Sequence, residues 1–308
     1  MPTSKKKLAF DNKKYLTVQR QEILKRIKSF GGKLYLEFGG KLFDDFHASR
    51  VLPGFQPDSK LQMLLTLKDD AEIVMAVNAD DIKFNKVRND LGITYESEVE
   101  RLIDAYQAAG LYVSSVVLCF YEDHPIVKQF AAKLKKNGIK VYKHYRIAGY
   151  PQNIVSVFGS DGFQRNEFVE TTRSLIVVTA PGPGSGKMAV CLSQLYHDMS
   201  KGIKSGYAKY ETFPVWNLPL EHPVNLAYEA ATVDLADVNM IDPYHLAAYG
   251  KTTTNYNRDI ETFPLLKTIF EKIYGKSPYQ SPTDMGVNMV GFAISASSGG
   301  CPARRQAM

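Results

Sequence analysis

Short, almost wholly apolar runs alternate along this chain with longer stretches whose apolar positions recur every three to four residues. The short runs are Lys33–Phe38, Ala71–Asn78, Tyr112–Tyr121, Ile139–Tyr145 and Leu175–Thr179. Each predicts a strand, and continuous apolarity predicts one buried on both faces. The periodic stretches predict helices over Tyr15–Ile27, from Gly39-Gly40 through Arg50, and over Leu61–Leu67, Tyr95–Ala109, Ile126–Asn137 and Met188–Met199. Gly110, Gly138 and Gly202 stop the last three, as glycine does just past a helix end. Strand–helix alternation of this kind predicts an α/β fold: a mainly parallel, doubly wound sheet in a three-layer sandwich, Rossmann-like or P-loop-like.

Elsewhere the pattern is weaker. Gly149–Thr172 is irregular. Tyr207–Pro223 carries Pro214, Trp216, Pro219 and Pro223 among apolar residues and reads as an ordered excursion packed on the domain. Leu226–Ala231 and Pro264–Tyr274 suit helices. Ser295–Met308 has no periodicity and is expected to be disordered. The expected organisation is one large α/β domain over 10–294, with a strand-rich core at 33–200 and a mixed excursion at 203–294.

The 308 residues, 44% of them hydrophobic and 23% charged, supply enough apolar mass for a sizeable core. The net charge of +6 owes part of its excess to Lys5-Lys6-Lys7 and to Lys133, Lys135 and Lys136. Neither group is interleaved with aromatics, so both read as solvated surface and nucleic acid is not an expected partner. The three cysteines are scattered without zinc spacing, and Cys119 and Cys191 lie in apolar runs, where buried free thiols are expected. That usage predicts a reducing, cytoplasmic setting. The polar N-terminus lacks a secretory signal pattern, no apolar run reaches membrane-spanning length, and no membrane partner is expected.

The segment carrying most chemical information is Ser174-Leu-Ile-Val-Val-Thr-Ala-Pro-Gly-Pro-Gly-Ser-Gly-Lys187. It reads as a buried strand, a glycine-rich loop and a helix start. Gly182, Gly184 and Gly186 let the backbone bend closely around an anion. Ser185 and the neighbouring N–H groups converge at the positive end of the next helix, and Lys187 adds a mobile charge. Against the standard phosphate loop, G-x-x-x-x-G-K-[ST], the match is partial. Pro181 stands at the first glycine and Met188 at the magnesium-binding hydroxyl. Either a phosphate site or a merely glycine-rich turn accounts for the pattern. Gly39, Gly40 and Lys41 repeat the design after the first strand and would share its sheet edge.

Asp80 closes an apolar strand in the manner of a metal- or water-binding carboxylate, or caps the following helix. Asp242-Pro-Tyr-His245 could seat a carboxylate and an imidazole together for acid–base work, or start a capped helix. The candidate catalytic set is therefore Asp80, Asp242 and His245. The candidate ligand-binding set is Gly182, Gly184, Ser185, Gly186 and Lys187 with Gly39, Gly40 and Lys41. No metal-ligand set is assigned. The expected partner is a phosphorylated small molecule, with a nucleotide and Mg²⁺ as candidate cofactor and a homo-oligomer open. Two functions stay in play: a nucleotide-dependent hydrolase or phosphotransferase, and a non-catalytic phosphometabolite-binding or regulatory module.

Several blocks resemble a known family. They are Leu36-Glu-Phe-Gly-Gly-Lys41, Arg50-Val-Leu-Pro-Gly-Phe55, Thr179-Ala-Pro-Gly-Pro-Gly-Ser-Gly-Lys187, Glu211-Thr-Phe-Pro-Val-Trp-Asn217, Asn239-Met-Ile-Asp-Pro243 and Ser281-Pro-Thr-Asp-Met-Gly-Val-Asn288. They resemble a largely bacterial group of uncharacterised proteins, domain-of-unknown-function family number eighteen forty-six, from about Phe10 to Ile294. The resemblance implies an α/β first domain and no established activity. Members continue beyond Ile294 with different text, which implies an altered or truncated end here.

Overall fold

The computed structural model describes residues 8–39, 42–43, 45–232 and 236–296. Seven strands form one all-parallel sheet. In chain order they are β1 (Leu34–Phe38), β2 (Ala71–Asn78), β3 (Tyr112–Cys119), β4 (Lys140–Lys143), β5 (Leu175–Thr179), β6 (Gly206–Tyr210) and β7 (Gly286–Val287). Across the sheet the order is β7-β6-β1-β5-β2-β3-β4. The five strands expected from apolar runs are all present, with β4 ending at Lys143 rather than Tyr145 and β3 at Cys119 rather than Tyr121.

Helices cover both faces. On one lie α1 (Asn12–Ser29), α2 (Ser59–Leu65), α3 (Tyr95–Ala108) and α4 (Pro125–Lys136); on the other lie α5 (Lys187–Ser200) and α6 (Asn257–Tyr274). The period-two geometry of a strand divides β5 between them: Leu175 and Val177 join the first core, Ile176 and Val178 the second. Burying each such side chain contributes about 1.5–3 kcal/mol, which is why continuously apolar runs settle at the centre of the sandwich. A third, smaller cluster of Phe10, Tyr15, Phe55, Phe213, Val215 and Val290 joins the chain's first helix to its last described residues.

The stretch at 203–294 is more ordered than its pattern suggests. It supplies two sheet strands, β6 and β7, and the long helix α6. That helix starts at Asn257, seven residues before the Pro264 at which the pattern predicts a start, and Pro264 lies inside it. The end expected to be disordered begins inside an ordered strand, Ile294–Ala296, which pairs antiparallel with Leu8–Phe10. The rest of that expectation, 297–308, lies outside the described residues. No described helix is long and apolar enough to cross a membrane.

Candidate functional site

Chain direction places the site. After β1 the chain crosses β5 to reach β2, by way of α2 on the first face; after β5 it crosses β1 to reach β6, by way of α5 on the second. Connections leaving adjacent strands in opposite directions open a crevice at their carboxyl ends, where open α/β sheets bind ligands. The glycine-rich loop leaves β5 at this point. It borders a 390 Å³ cleft whose other walls come from Glu37 on β1, Cys119 at the end of β3 and Phe120 after it, His144–Ile147 after β4, Tyr150, and Leu266 of α6.

The loop is held in shape by its neighbours. Arg88 donates from one guanidinium nitrogen to the Pro181 carbonyl (2.6 Å) and to Glu98 (2.8 Å). A Cβ at Gly182 would lie 2.8 Å from the Tyr95 hydroxyl, so only glycine lets that ring approach. Ser185 is buried and donates to the Gly182 carbonyl at 2.9 Å; its hydroxyl is used within the loop. Gly184 and Gly186 are left-handed, with φ of +69° and +91°, which costs a residue with a side chain roughly 1–3 kcal/mol. Gly186 caps α5, and among the described residues no side chain hydrogen-bonds the helix start. The first amide groups of this 14-residue helix have no partners within it. Lys187 is half-buried on the cleft wall and forms no ion pair among the described residues. The first amides of α5, its helix dipole and the Lys187 ammonium on one wall suit an anion.

The opposite wall is mixed. Arg146 lies over the Phe120 ring, 4.9 Å from its centroid, and pairs with Asp80 at 2.7 Å. Asp80 is thus the counter-ion of a cleft arginine, and Asn78 caps the helix at Ala79–Lys83. Burial lowers His144 to about 3, leaving a neutral imidazole 3.1 Å from the Glu167 carbonyl. Burial pushes the Cys119 thiol up to about 12, despite the opposing field of Lys187, so it is no thiolate nucleophile at neutral pH. Across from Glu37 on β6, Lys209 is half-buried between Asp259 (2.6 Å) and Glu211 (2.7 Å). Burial works against that ammonium, but Asp259, Glu211 and Glu37 outweigh it and its pKa rises. Burial pushes Glu211 up to about 7.

The other residues singled out by sequence lie elsewhere. Asp242 is fully buried; one carboxylate oxygen accepts from the Tyr244 and His245 amides (3.0 Å each), the other from the Thr283 hydroxyl (2.6 Å). It caps the helix at Pro243–Tyr249. His245 lies 3.0 Å from the Ser281 hydroxyl and packs on Tyr249. Neither borders the cleft. Gly39 follows β1, outside the cleft lining, and its carbonyl accepts from Lys60 at 3.5 Å. The next helix begins only at Phe46, capped by Asp45. Gly40 and Lys41 lie outside the described residues.

A family model described as "Domain of unknown function DUF1846, N-terminal" matches residues 8–308. The chain belongs to this family. The match overturns the resemblance bounded near Ile294, and the reading of an altered or missing C-terminal part drawn from it, because 295–308 lie within the matched span. The chain is also similar to curated relatives, each named "UPF0371 protein". It is 61% identical to one from Streptococcus sanguinis (strain SK36), over 94% of this chain and 58% of the relative. It is 61% identical to another from Streptococcus equi subsp. equi (strain 4047), over 98% of this chain and 61% of the relative. The chain thus spans about three-fifths of the length of these relatives. The family description and the relatives' names state no activity.

Residue-type patterns pointed to the glycine loop but missed Glu37, Arg146 and Tyr150. Glu37 carried a usable signal, a lone carboxylate inside an otherwise apolar strand run. Arg146 and Tyr150 carried none, because a loop after β4 reaches the switch point only through tertiary folding.

Proposed function

We propose that the cleft binds a phosphorylated small molecule, nucleotide-like in size, with its phosphate on the Gly184–Lys187 loop. The supporting observation is a Lys187 with no ion pair among the described residues, beside the first amides of α5 and two left-handed glycines, on the wall of a cleft at the sheet's switch point. Phe120, Ile147, Tyr150 and Leu266 provide apolar surface for the rest of the ligand, and 390 Å³ falls within the usual range for small-molecule pockets. Arg146 supplies a second cation. An enzyme of nucleotide or phosphoryl chemistry fits this frame.

One observation favours the non-catalytic reading. Met188 replaces the hydroxyl that would reach a magnesium ion, and a thioether is a poor ligand for a hard cation. Calorimetric titration with ATP, ADP and ribose 5-phosphate, with and without Mg²⁺, tests both. Lys187→Ala is expected to weaken binding by about 10- to 100-fold, since a hydrogen bond to a charged group contributes about 1.5–3 kcal/mol. Equal binding by the variant contradicts the reading. Phosphate release that requires Mg²⁺ favours the enzyme; metal-independent binding without turnover favours the sensor.

A further inference from the structure

Glu37 is 8% exposed, yet it has no cationic partner among the described residues. Its Oε2 accepts from the Tyr207 hydroxyl at 2.6 Å, and no other hydrogen bond reaches the carboxylate among those residues. Its cross-strand partner on β6, Lys209, is already engaged by Asp259 and Glu211. A buried carboxylate with only one neutral donor is costly unless something else completes its shell. Glu37 borders the same cleft as Gly184–Lys187, and on adjacent strands the two features flank the switch point.

We propose that Glu37 is the hydroxyl acceptor of this cleft and that its ligand is a phosphorylated polyol, with phosphate at Gly184–Lys187 and a hydroxyl pair at Glu37. This rests on the phosphate reading of the glycine loop. A hydroxyl suits this pair of groups because Tyr150 lines the same cleft. Burial and the nearby charge of Glu37 raise its phenol, which stays protonated and able to donate. A hydroxyl can donate to Glu37 and accept from Tyr150, using both groups at once. Free sugar phosphates and nucleotides share this chemistry through their ribose or hexose hydroxyls.

Calorimetry with inorganic phosphate, n-butyl phosphate, ethanolamine phosphate, ribose 5-phosphate and AMP separates the contributions. For the wild-type chain, ribose 5-phosphate or AMP is expected to bind about tenfold or more tightly than butyl phosphate, a charge-assisted hydrogen bond's worth. AMP and ribose 5-phosphate distinguish a nucleotide from a free sugar as the source of the hydroxyls. In Glu37→Gln most of that gain is lost while inorganic phosphate binding stays within about twofold; Lys187→Ala weakens every ligand. The wild-type comparison requires no assumption about folding of a variant. The proposal is overturned if neither polyol exceeds butyl phosphate, if Glu37→Gln keeps the gain, or if ethanolamine phosphate binds tightest. Absence of any phosphate binding by the wild type overturns the glycine-loop reading as well, which separates the two failures.

Discussion

Single side chains decide whether the cleft can hold an anion. Gly186 combines a φ of +91° with a Cβ position 3.0 Å from the Cys119 sulfur. Gly186→Ala must therefore bear both backbone strain and a clash with a buried neighbour. It is expected to destabilise the fold by about 1–3 kcal/mol and to lose phosphate affinity, read by denaturant unfolding and titration. His144 sets a pH limit. Its pKa is depressed to about 3 by burial, so the folded state binds the proton less readily than the unfolded chain. The stability it contributes is present above about pH 6.5 and is lost as pH falls toward 3. At about 1.4 kcal/mol per pH unit the loss is on the order of several kcal/mol. Urea unfolding from pH 7 to 4 should show this decline, and His144→Gln should flatten it. Glu211 acts in the opposite sense. Its raised pKa, about 7, favours the protonated folded state, so its contribution declines as pH rises from about 4.5 to 7.

Secondary elements separate the structural acids from those beside the cleft. Asp242 joins two elements, capping the helix at Pro243–Tyr249 and holding Thr283 at the start of the Pro282–Met285 turn. Losing that cap and a buried acceptor should cost about 2–4 kcal/mol in Asp242→Ala, while phosphate affinity of the folded fraction stays unchanged. A loss of affinity there with unchanged stability would return Asp242 to the site. The elements also show what a sequence pattern carries. β2, β3 and β5 were legible because both faces are buried and nearly every residue is apolar. β6 was not, because Lys209 interrupts it; only the folded chain brings Asp259 to that ammonium. The early start of α6 was hidden by Pro264, which reads as a first-turn residue and sits instead in the helix interior. Asp80 looked like a metal carboxylate because it ends a strand. Its partner, Arg146, is 66 residues away in sequence and leaves no local trace.

At the scale of the whole molecule, topology makes the cleft. The order β7-β6-β1-β5-β2-β3-β4 sends the chain in opposite directions after β1 and β5. That reversal sets Glu37 and the glycine loop on either side of one crevice. The match covers about three-fifths of each relative, so the activity of those whole proteins is not a property of this chain alone. The proposed phosphate capture by the loop needs only residues of this chain and can be tested on it. The most direct measurement is an amide ¹H–¹⁵N titration with inorganic phosphate. Saturable shifts at Gly184, Ser185, Gly186 and Lys187, absent in Lys187→Ala, are the predicted result. Shifts confined to other surfaces, or none at these four amides, would contradict the account.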